Sequence, residues 1–399
     1  MSDPQVDVPI AIIGGGIGGL ALAVSLTRRN VPFRIYEAVS KFSEIGAGIA
    51  CSTNAVRALG LISPELLRGF NECVTQNAFE SYRNTWFAFR YGQDPRNKSG
   101  KNIHRARLLE ELVKLIPPDV TEFNKCLSSI SEDSTNNTIL LHFSDGTTIC
   151  AQAVIGADGI KSKTRDFVCQ KTVHPNYCSE YAYRALIPRD AAIAILGEEL
   201  ATNGQIYCGY GTYIVSYPIE NGALVNIVGV IQKQGSTWPG TGWLQQSTKE
   251  AMLKDLEGWH PGLMELFDKY SKCEQWALHD MLHPYPYARG QACLLGDSAH
   301  ATTPHQGAGG GMAMEDAFIL GNLLSDFRDP KDYEAVFKAY DEVRRPRTQS
   351  LIVSGHEAGG LISFMGKGVG DDMDKFEDAV REGYFWIWHF DLEGDLERA

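Results

Sequence analysis

A chain of 399 residues, 44% hydrophobic and 22% charged, has the apolar material for two or three domains of about 100–200 residues each and excludes bulk disorder. A formal net charge of −12, with no run of Lys or Arg set against it, excludes nucleic acid as the main partner. Nine scattered cysteines, none at metal-ligand spacing, read as reduced and mostly buried thiols; no metal site is expected. The segment MSDPQVDVP carries acids where a signal peptide carries a basic stretch, and the apolar run 10–26 is broken by five glycines. No membrane span is therefore expected, and the expected location is the cytoplasm.

Residues 8–13 form an unbroken apolar strand of the kind buried in a parallel sheet. The strand leads into Gly14-Gly15-Gly16-Ile17-Gly18-Gly19, a helix over 18–29, and a second strand over 33–36 that ends at Glu37. In this strand–loop–helix–strand setting the glycines have separate tasks: Gly14 permits the tight turn, Gly16 lets a pyrophosphate approach the backbone, and Gly19 allows close helix–strand packing. The helix N-terminus supplies N–H groups and a positive dipole end to the phosphates. Glu37, 18 residues past Gly19, sits where a carboxylate accepts bonds from adenosine ribose hydroxyls and repels a 2′-phosphate. This unit predicts a bound dinucleotide without separating FAD from NAD.

Next, Gly46-Ala47-Gly48-Ile49 suits close passage of a flat ligand, with plain turn chemistry as the alternative, and a helix follows over 53–59. The alternation over 76–90 predicts antiparallel strands, 104–116 an amphipathic helix, and 123–150 two or three strands with a turn at 144–147. In AVIGADGIKSKTR (153–165) a buried strand ends in Gly156-Ala157-Asp158-Gly159; Asp158 either meets a ligand at the sheet's carboxyl edge or caps the next helix. From 177 to 276, strand-like runs and a helix over 242–259 predict an inserted antiparallel sheet. Beyond it stand LLGDSAHATTPHQGAGGGMAMED (294–316), helices over 312–327 and 330–342, Arg344-Arg345-Pro346-Arg347, and further helices to the end. The arginine cluster reads as a solvated or ion-paired face, contact with the site being the alternative.

Three stretches stand in one order: GGGIGGL…E at 14–37, GADGIKSKTR at 156–165 and GDSAHATTPHQGAGGG at 296–311. With them the chain resembles, over nearly its whole length, the single-component FAD-dependent aromatic hydroxylases (class A flavoprotein monooxygenases), above all the salicylate hydroxylase-like branch. The resemblance implies an α/β fold: a Rossmann-like FAD-binding domain of the glutathione-reductase type, an inserted α+β antiparallel-sheet substrate domain, and C-terminal helices. The expected borders are 1–74 with 101–175 and 277–350 for the FAD-binding domain, 75–100 with 176–276 for the substrate domain, and 351–399 for the helical segment.

The resemblance also assigns roles. Gly14, Gly16, Gly19 and Glu37 would hold the ADP half of FAD, with Gly48 and Ile49 passing close to the cofactor. Arg105 would meet the pyrophosphate or ribityl region; Asp stands often in the family where this chain has Arg107, whose role stays open. Asp158 would contact FAD, Asp297 would bind the ribityl hydroxyls, and Pro304, Gly307, Gly309, Gly310 and Gly311 would form the loop beneath the isoalloxazine. With a single GxGxxG in the right context, NADH or NADPH would act as a transient reductant.

For the substrate pocket, the branch uses a His or Tyr in the strand before a Tyr-Pro pair. Alternation places Tyr213, Val215 and Tyr217 on one face there. A tyrosine would bind or deprotonate a phenol, or these are core aromatics of a sheet. Arg184 would pair a substrate carboxylate, or is an edge-strand charge. His305, inside the flavin loop, would reach the pocket, or is a satisfied loop histidine; with Gln306 it is expected on the side of the loop where flavin and substrate meet.

The implied activity is NAD(P)H- and O2-dependent hydroxylation of a phenolic or aromatic-acid substrate through a flavin C4a-hydroperoxide, with loss of CO2 where the attacked carbon bears a carboxylate. A homodimer is an open quaternary arrangement. The rivals are an epoxidase or ring-modifying oxygenase of secondary metabolism, an O2-independent flavin dehydrogenase, and a non-catalytic FAD-binding protein.

Overall fold

Strand Val8–Ile13 is buried on both faces, with Ile10 to Ile13 at 3% exposure or less, which is why its sequence is apolar throughout rather than alternating. It lies at the centre of a sheet whose parallel strands run in the order Ala292–Leu294, Thr148–Gly156, Val8–Ile13, Arg34–Tyr36, Thr121–Glu122. In a computed structural model the fold is described over residues 8–42, 49–83, 85–93, 105–106, 108–133, 135–239 and 242–399. The register aligns Ile13 with Tyr36 and with Gly156, and Gly156 with Leu294. The loops at Gly14, Glu37, Asp158 and Asp297 therefore leave the sheet at one carboxyl edge, the crevice in which open α/β sheets take ligands. Leu127–Asp133 and Thr138–Phe143 extend the sheet antiparallel through the first half of Thr148–Gly156.

The second sheet has the order Leu244–Gln246, Glu274–Asp280, Asn176–Pro188, Leu224–Gln232, Thr212–Ile219, Gln205–Gly209, Ala88–Tyr91. Its pairs are antiparallel except the last: Ala88–Tyr91 runs parallel to Gln205–Gly209, against the antiparallel pairing expected over 76–90. No hairpin joins these two strands, so tertiary packing rather than local pattern sets their direction. One face of the sheet packs on helices Arg189–Leu196, Lys249–Asp255 and Pro261–Tyr270; the other faces the carboxyl-edge loops of the first sheet.

Two further expectations are corrected. The helix expected over 242–259 is a strand, Leu244–Gln246, followed by a short helix, Lys249–Asp255, because the Thr248 hydroxyl accepts from Ala251 N–H and fixes the helix start there. The helix expected to stop at 342 instead runs from Tyr333 to Ile362 with Pro346 inside it. Glu342 and Pro346 both face solvent, where water satisfies the carbonyl that Pro346 cannot bond, while Arg344 and Arg347 on the opposite side are buried in ion pairs. The domain borders expected at 276/277 and 350/351 cut through strand Glu274–Asp280 and helix Tyr333–Ile362.

Candidate functional site

A cavity of 510 Å3 lies between the second sheet and the loop after strand Ala292–Leu294. Strand alternation builds its wall: Tyr213, Val215 and Tyr217 point into it from Thr212–Ile219, and Ala182 and Arg184 from Asn176–Pro188. Asp297, Pro304, His305, Gly307, Gly309 and Gly310 form the floor. All four residues expected at the substrate, Arg184, Tyr213, Tyr217 and His305, thus meet the expected flavin-loop residues in one space.

The floor is shaped by its backbone. Gly296 takes a left-handed conformation (φ 66°), Asp297 opens a short helix to His300, and Pro304–Gln306 makes one 3-10 turn before helix Gly309–Asp326. No side chain caps that helix, so the first-turn N–H groups of Gly309 and Gly310 are presented at the cavity. Asp297 is open to the cavity and crowded by protein around it; burial raises its carboxyl above the ordinary aspartate range, and no side chain among the described residues bonds it. Gly311 turns away and packs on Ala55 of helix Thr53–Ile62, where a Cβ would lie 3.1 Å from the Ala55 Cβ.

Beneath the floor lies a buried ionic cluster, the ion-paired form of the arginine stretch. Asp316 accepts from Gly296 N–H (3.1 Å), His300 Nε2 (2.6 Å) and Arg344 Nε (2.8 Å). Glu315 takes Arg344 Nη2 at 2.8 Å, Arg347 Nε at 2.7 Å and Asn54 Nδ2 at 2.7 Å. Burial by itself would raise Asp316, but His300 and Arg344 outweigh it and hold the carboxyl down at about 2. The arginine cluster is ion-paired, and it reaches the site through the loop that it supports.

At the other end of the crevice, Gly14 has φ +102° and Gly14 N–H donates to Tyr36 O at 2.9 Å, while outside its own stretch of chain no atom of the described residues lies within 4 Å of where a Gly16 Cβ would stand. Glu37 lies against this loop and accepts from Gly15 N–H at 2.5 Å and Val39 N–H at 3.0 Å, which leaves lone pairs for ribose hydroxyls. Asp158 adopts its capping alternative: it accepts from Ser162 Oγ (2.6 Å), Lys163 N–H (2.8 Å) and Thr164 N–H (3.1 Å) at the start of helix Lys163–Val168. Arg105 is not in the expected helix, which is Leu108–Lys114: Ile49 and Arg105 belong to short antiparallel strands, paired Ile49 with Ala106 and Ala50 with Arg105, because main-chain pairing with a distant segment overrides the local pattern; their side chains, and Gly48 and Arg107 entirely, lie outside the described residues. An open approach at Gly16, an uncapped helix N-terminus and an unpartnered carboxylate at Asp297 together suit the pyrophosphate, ring and ribityl chain of FAD.

Gln306 departs from its expected place. Its amide donates to Ser354 Oγ (2.9 Å) and Gly383 O (3.1 Å) and faces a separate groove between helices Tyr333–Ile362 and Met373–Trp388. His305 faces the cavity, with Nδ1 2.7 Å from the Tyr213 hydroxyl and Nε2 2.9 Å from Glu180 Oε2. Glu180 was missed in the sequence, although Glu180, Ala182 and Arg184 share one parity on one strand. Among the described residues the metal-type side chains Cys178, Asp280 and His356 also meet, as a hydrogen-bonded group with His356 Nε2 2.5 Å from Asp280 Oδ2.

Residues 7–354 match the FAD binding domain family. The chain is 36% identical over 404 residues to the 6-methylsalicylate 1-monooxygenase of Aspergillus terreus, covering 97% of this chain and 90% of that protein. It is 32% identical over 426 residues to the salicylate hydroxylase of Pseudomonas putida, covering 100% and 96%. Among solved structures, a salicylate hydroxylase substrate complex superposes with a TM-score of 0.86 at 28% identity, over 98% of this chain and 97% of that one. With its motifs in place along the carboxyl edge of the sheet, the chain belongs to the FAD binding domain family and is an FAD-dependent monooxygenase of the salicylate hydroxylase type.

Proposed function

We propose that the substrate is a 2-hydroxybenzoate whose carboxylate pairs with Arg184 and whose phenol faces Tyr213, and that hydroxylation at the carboxyl-bearing carbon expels CO2. The observation that carries this reading is Arg184. It is a largely buried cation in the cavity wall; burial pushes its guanidinium below the ordinary range, and no carboxylate among the described residues pairs with it. The Trp276 ring lies 5.8 Å from the guanidinium carbon. A buried charge without a partner is costly, and a substrate carboxylate offers the bidentate pairing that a guanidinium fork fits. The names of two relatives, a 6-methylsalicylate monooxygenase and a salicylate hydroxylase, support the same substrate class.

The reaction balances as 2-hydroxybenzoate, NAD(P)H, O2 and two protons giving a catechol, CO2, NAD(P)+ and water. FAD, when bound, carries the reducing equivalents from NAD(P)H to O2 and delivers an electrophilic oxygen. The chain's own residues do the rest. Gly16, Glu37 and Asp297 would hold the cofactor, with the N–H groups of Gly309 and Gly310 facing charge on its ring. Arg184 orients the ring through its carboxylate, and the apolar side chains Val215, Val228 and Val230 keep water from the reacting carbon. Tyr213 takes the phenol proton and thereby makes the ring electron-rich.

Replacing Arg184 with Met tests the reading. Loss of a charged hydrogen-bonded pair, ~1.5–3 kcal/mol, raises KM for salicylate about ten- to a hundredfold and leaves a phenol without a carboxylate unaffected. An unchanged KM for salicylate in NAD(P)H-oxidation assays contradicts the assignment.

A further inference from the structure

We infer that Glu180 positions His305: the phenol proton passes through Tyr213 to this imidazole, and the Glu180 carboxylate, outside the cavity, fixes the ring and stabilises the charge that it gains. The inference rests on the substrate reading above. Tyr213 is 3% exposed, the His305 side chain is fully buried and Glu180 is 7% exposed, so the three stand in line away from bulk water. The Tyr213 hydroxyl is 2.7 Å from Nδ1 of His305, and Nε2 of the same ring is 2.9 Å from Glu180 Oε2. That second approach has ion-pair distance without hydrogen-bond angles, and among the described residues neither Nε2 nor Oε2 has any other hydrogen-bond partner. Two buried polar atoms left in that state each carry a desolvation cost of about 1–3 kcal/mol that only their mutual bond removes. With the Tyr213 hydroxyl donating to Nδ1, Nε2 is the ring nitrogen that bears hydrogen, on the side nearest Glu180.

Burial first, then the negative charge of Glu180, holds the Tyr213 phenol well above its ordinary value, with Tyr384 and Cys208 adding in the same direction. Tyr213 is therefore protonated at rest and relays a proton instead of waiting as a phenolate. In the step, the substrate O–H bond breaks and its proton goes to the Tyr213 oxygen. The Tyr213 proton goes to Nδ1, and the imidazolium so formed keeps its Nε2 proton beside the Glu180 carboxylate, which stabilises the charge. Nothing is oxidised, and the substrate is left as phenolate. The groups around Glu180 are Gln232, whose amide donates to Oε1 at 3.1 Å, and His356, Cys178 and Tyr177, which feel its charge, His356 being paired in turn with Asp280. Glu180 acts through His305 and is a positioning residue, not a group that touches substrate.

The test uses FAD-loaded full-length protein with salicylate as substrate and 5-nitrosalicylate as a coloured probe. Glu180→Gln is expected to lower kcat for salicylate about a hundredfold, the usual scale of acid–base assistance, with flavin content unchanged. It is also expected to move the phenolate absorbance of bound 5-nitrosalicylate to higher pH, and Glu180→Asp to recover part of both effects. Native protein that neither binds nor oxidises hydroxybenzoates overturns the substrate reading and the relay built on it. Native protein that does both, with Glu180→Gln unchanged in turnover and probe colour, overturns the Glu180 assignment alone. A turnover loss with no shift in probe colour also overturns it, since a merely structural role would act that way.

Discussion

Asp297 and Arg184 face one cavity with opposite charges, and neither has a countercharge bonded to it among the described residues. Each is an unmet demand on a ligand, and the demands differ: Asp297 accepts hydrogen bonds from hydroxyls, while Arg184 offers a fork to an anion. Replacing Asp297 with Ala is expected to remove bonds to a charged acceptor, ~1.5–3 kcal/mol, and to loosen FAD about ten- to a hundredfold, read as the flavin-to-protein ratio after gel filtration. Undiminished flavin content in that variant would remove Asp297 from the cofactor site. Glu37 makes a contrast. Both of its oxygens already accept backbone N–H groups, so it serves the glycine loop and a ribose at once.

At the scale of the element, Gly359 shows how a helix determines the position of a reacting ring. It lies in helix Tyr333–Ile362, and a Cβ on it would stand 2.7 Å from Cδ2 and Nε2 of His305, whose ring is buried on every side. Gly359→Ala improves helix propensity by about 1 kcal/mol and yet is expected to displace the ring from Glu180, lowering salicylate turnover at least tenfold while flavin stays bound. Unaltered turnover would mean that the ring's position is immaterial. No local pattern announces this packing, because Gly359 and His305 are 54 positions apart in sequence. The same distinction runs through the fold. The central strand, its glycine loop and the Tyr213–Val215–Tyr217 face were legible, since each depends on local periodicity and on chemistry within a few residues. The parallel pairing of Ala88–Tyr91, the passage of a helix through Pro346 and the partnership of Glu180 were not, since each depends on what distant segments bring alongside. The arginine cluster was read as solvated or ion-paired without its partners for a related reason: the buried Glu315 and Asp316 belong to another helix and look like ordinary surface acids in sequence.

For the whole molecule, the cluster under the flavin loop ties folding to pH. Asp316 falls from an ordinary value of 3.8 to about 2 in the folded chain. A depressed carboxyl contributes stability that is full above its unfolded value and is lost as pH falls toward its folded one. Thermal melting is therefore expected to hold steady near neutrality and to drop between about pH 4 and pH 2, with flavin released in the same interval because Asp316 also holds Gly296 N–H. Replacing Arg347 with Met leaves Glu315 buried with one fewer cation, a loss expected to cost ~3–5 kcal/mol in a denaturant titration. A cost below ~1 kcal/mol would show that the cluster is not the support of the loop. Two sheets, one loop and one long helix thus converge on the cavity that Arg184, Tyr213, Asp297 and His305 line.

The central claim is that this cavity directs oxygen to the carboxyl-bearing carbon of a 2-hydroxybenzoate. Turnover of salicylate by the FAD-loaded protein under 18O2, with NAD(P)H consumption, CO2 and product mass followed together, tests it most directly. The account predicts one CO2 and one catechol carrying a single 18O atom for each NAD(P)H consumed in coupled turnover. A product that keeps its carboxylate, or turnover that persists unchanged under nitrogen with an artificial electron acceptor, would contradict it.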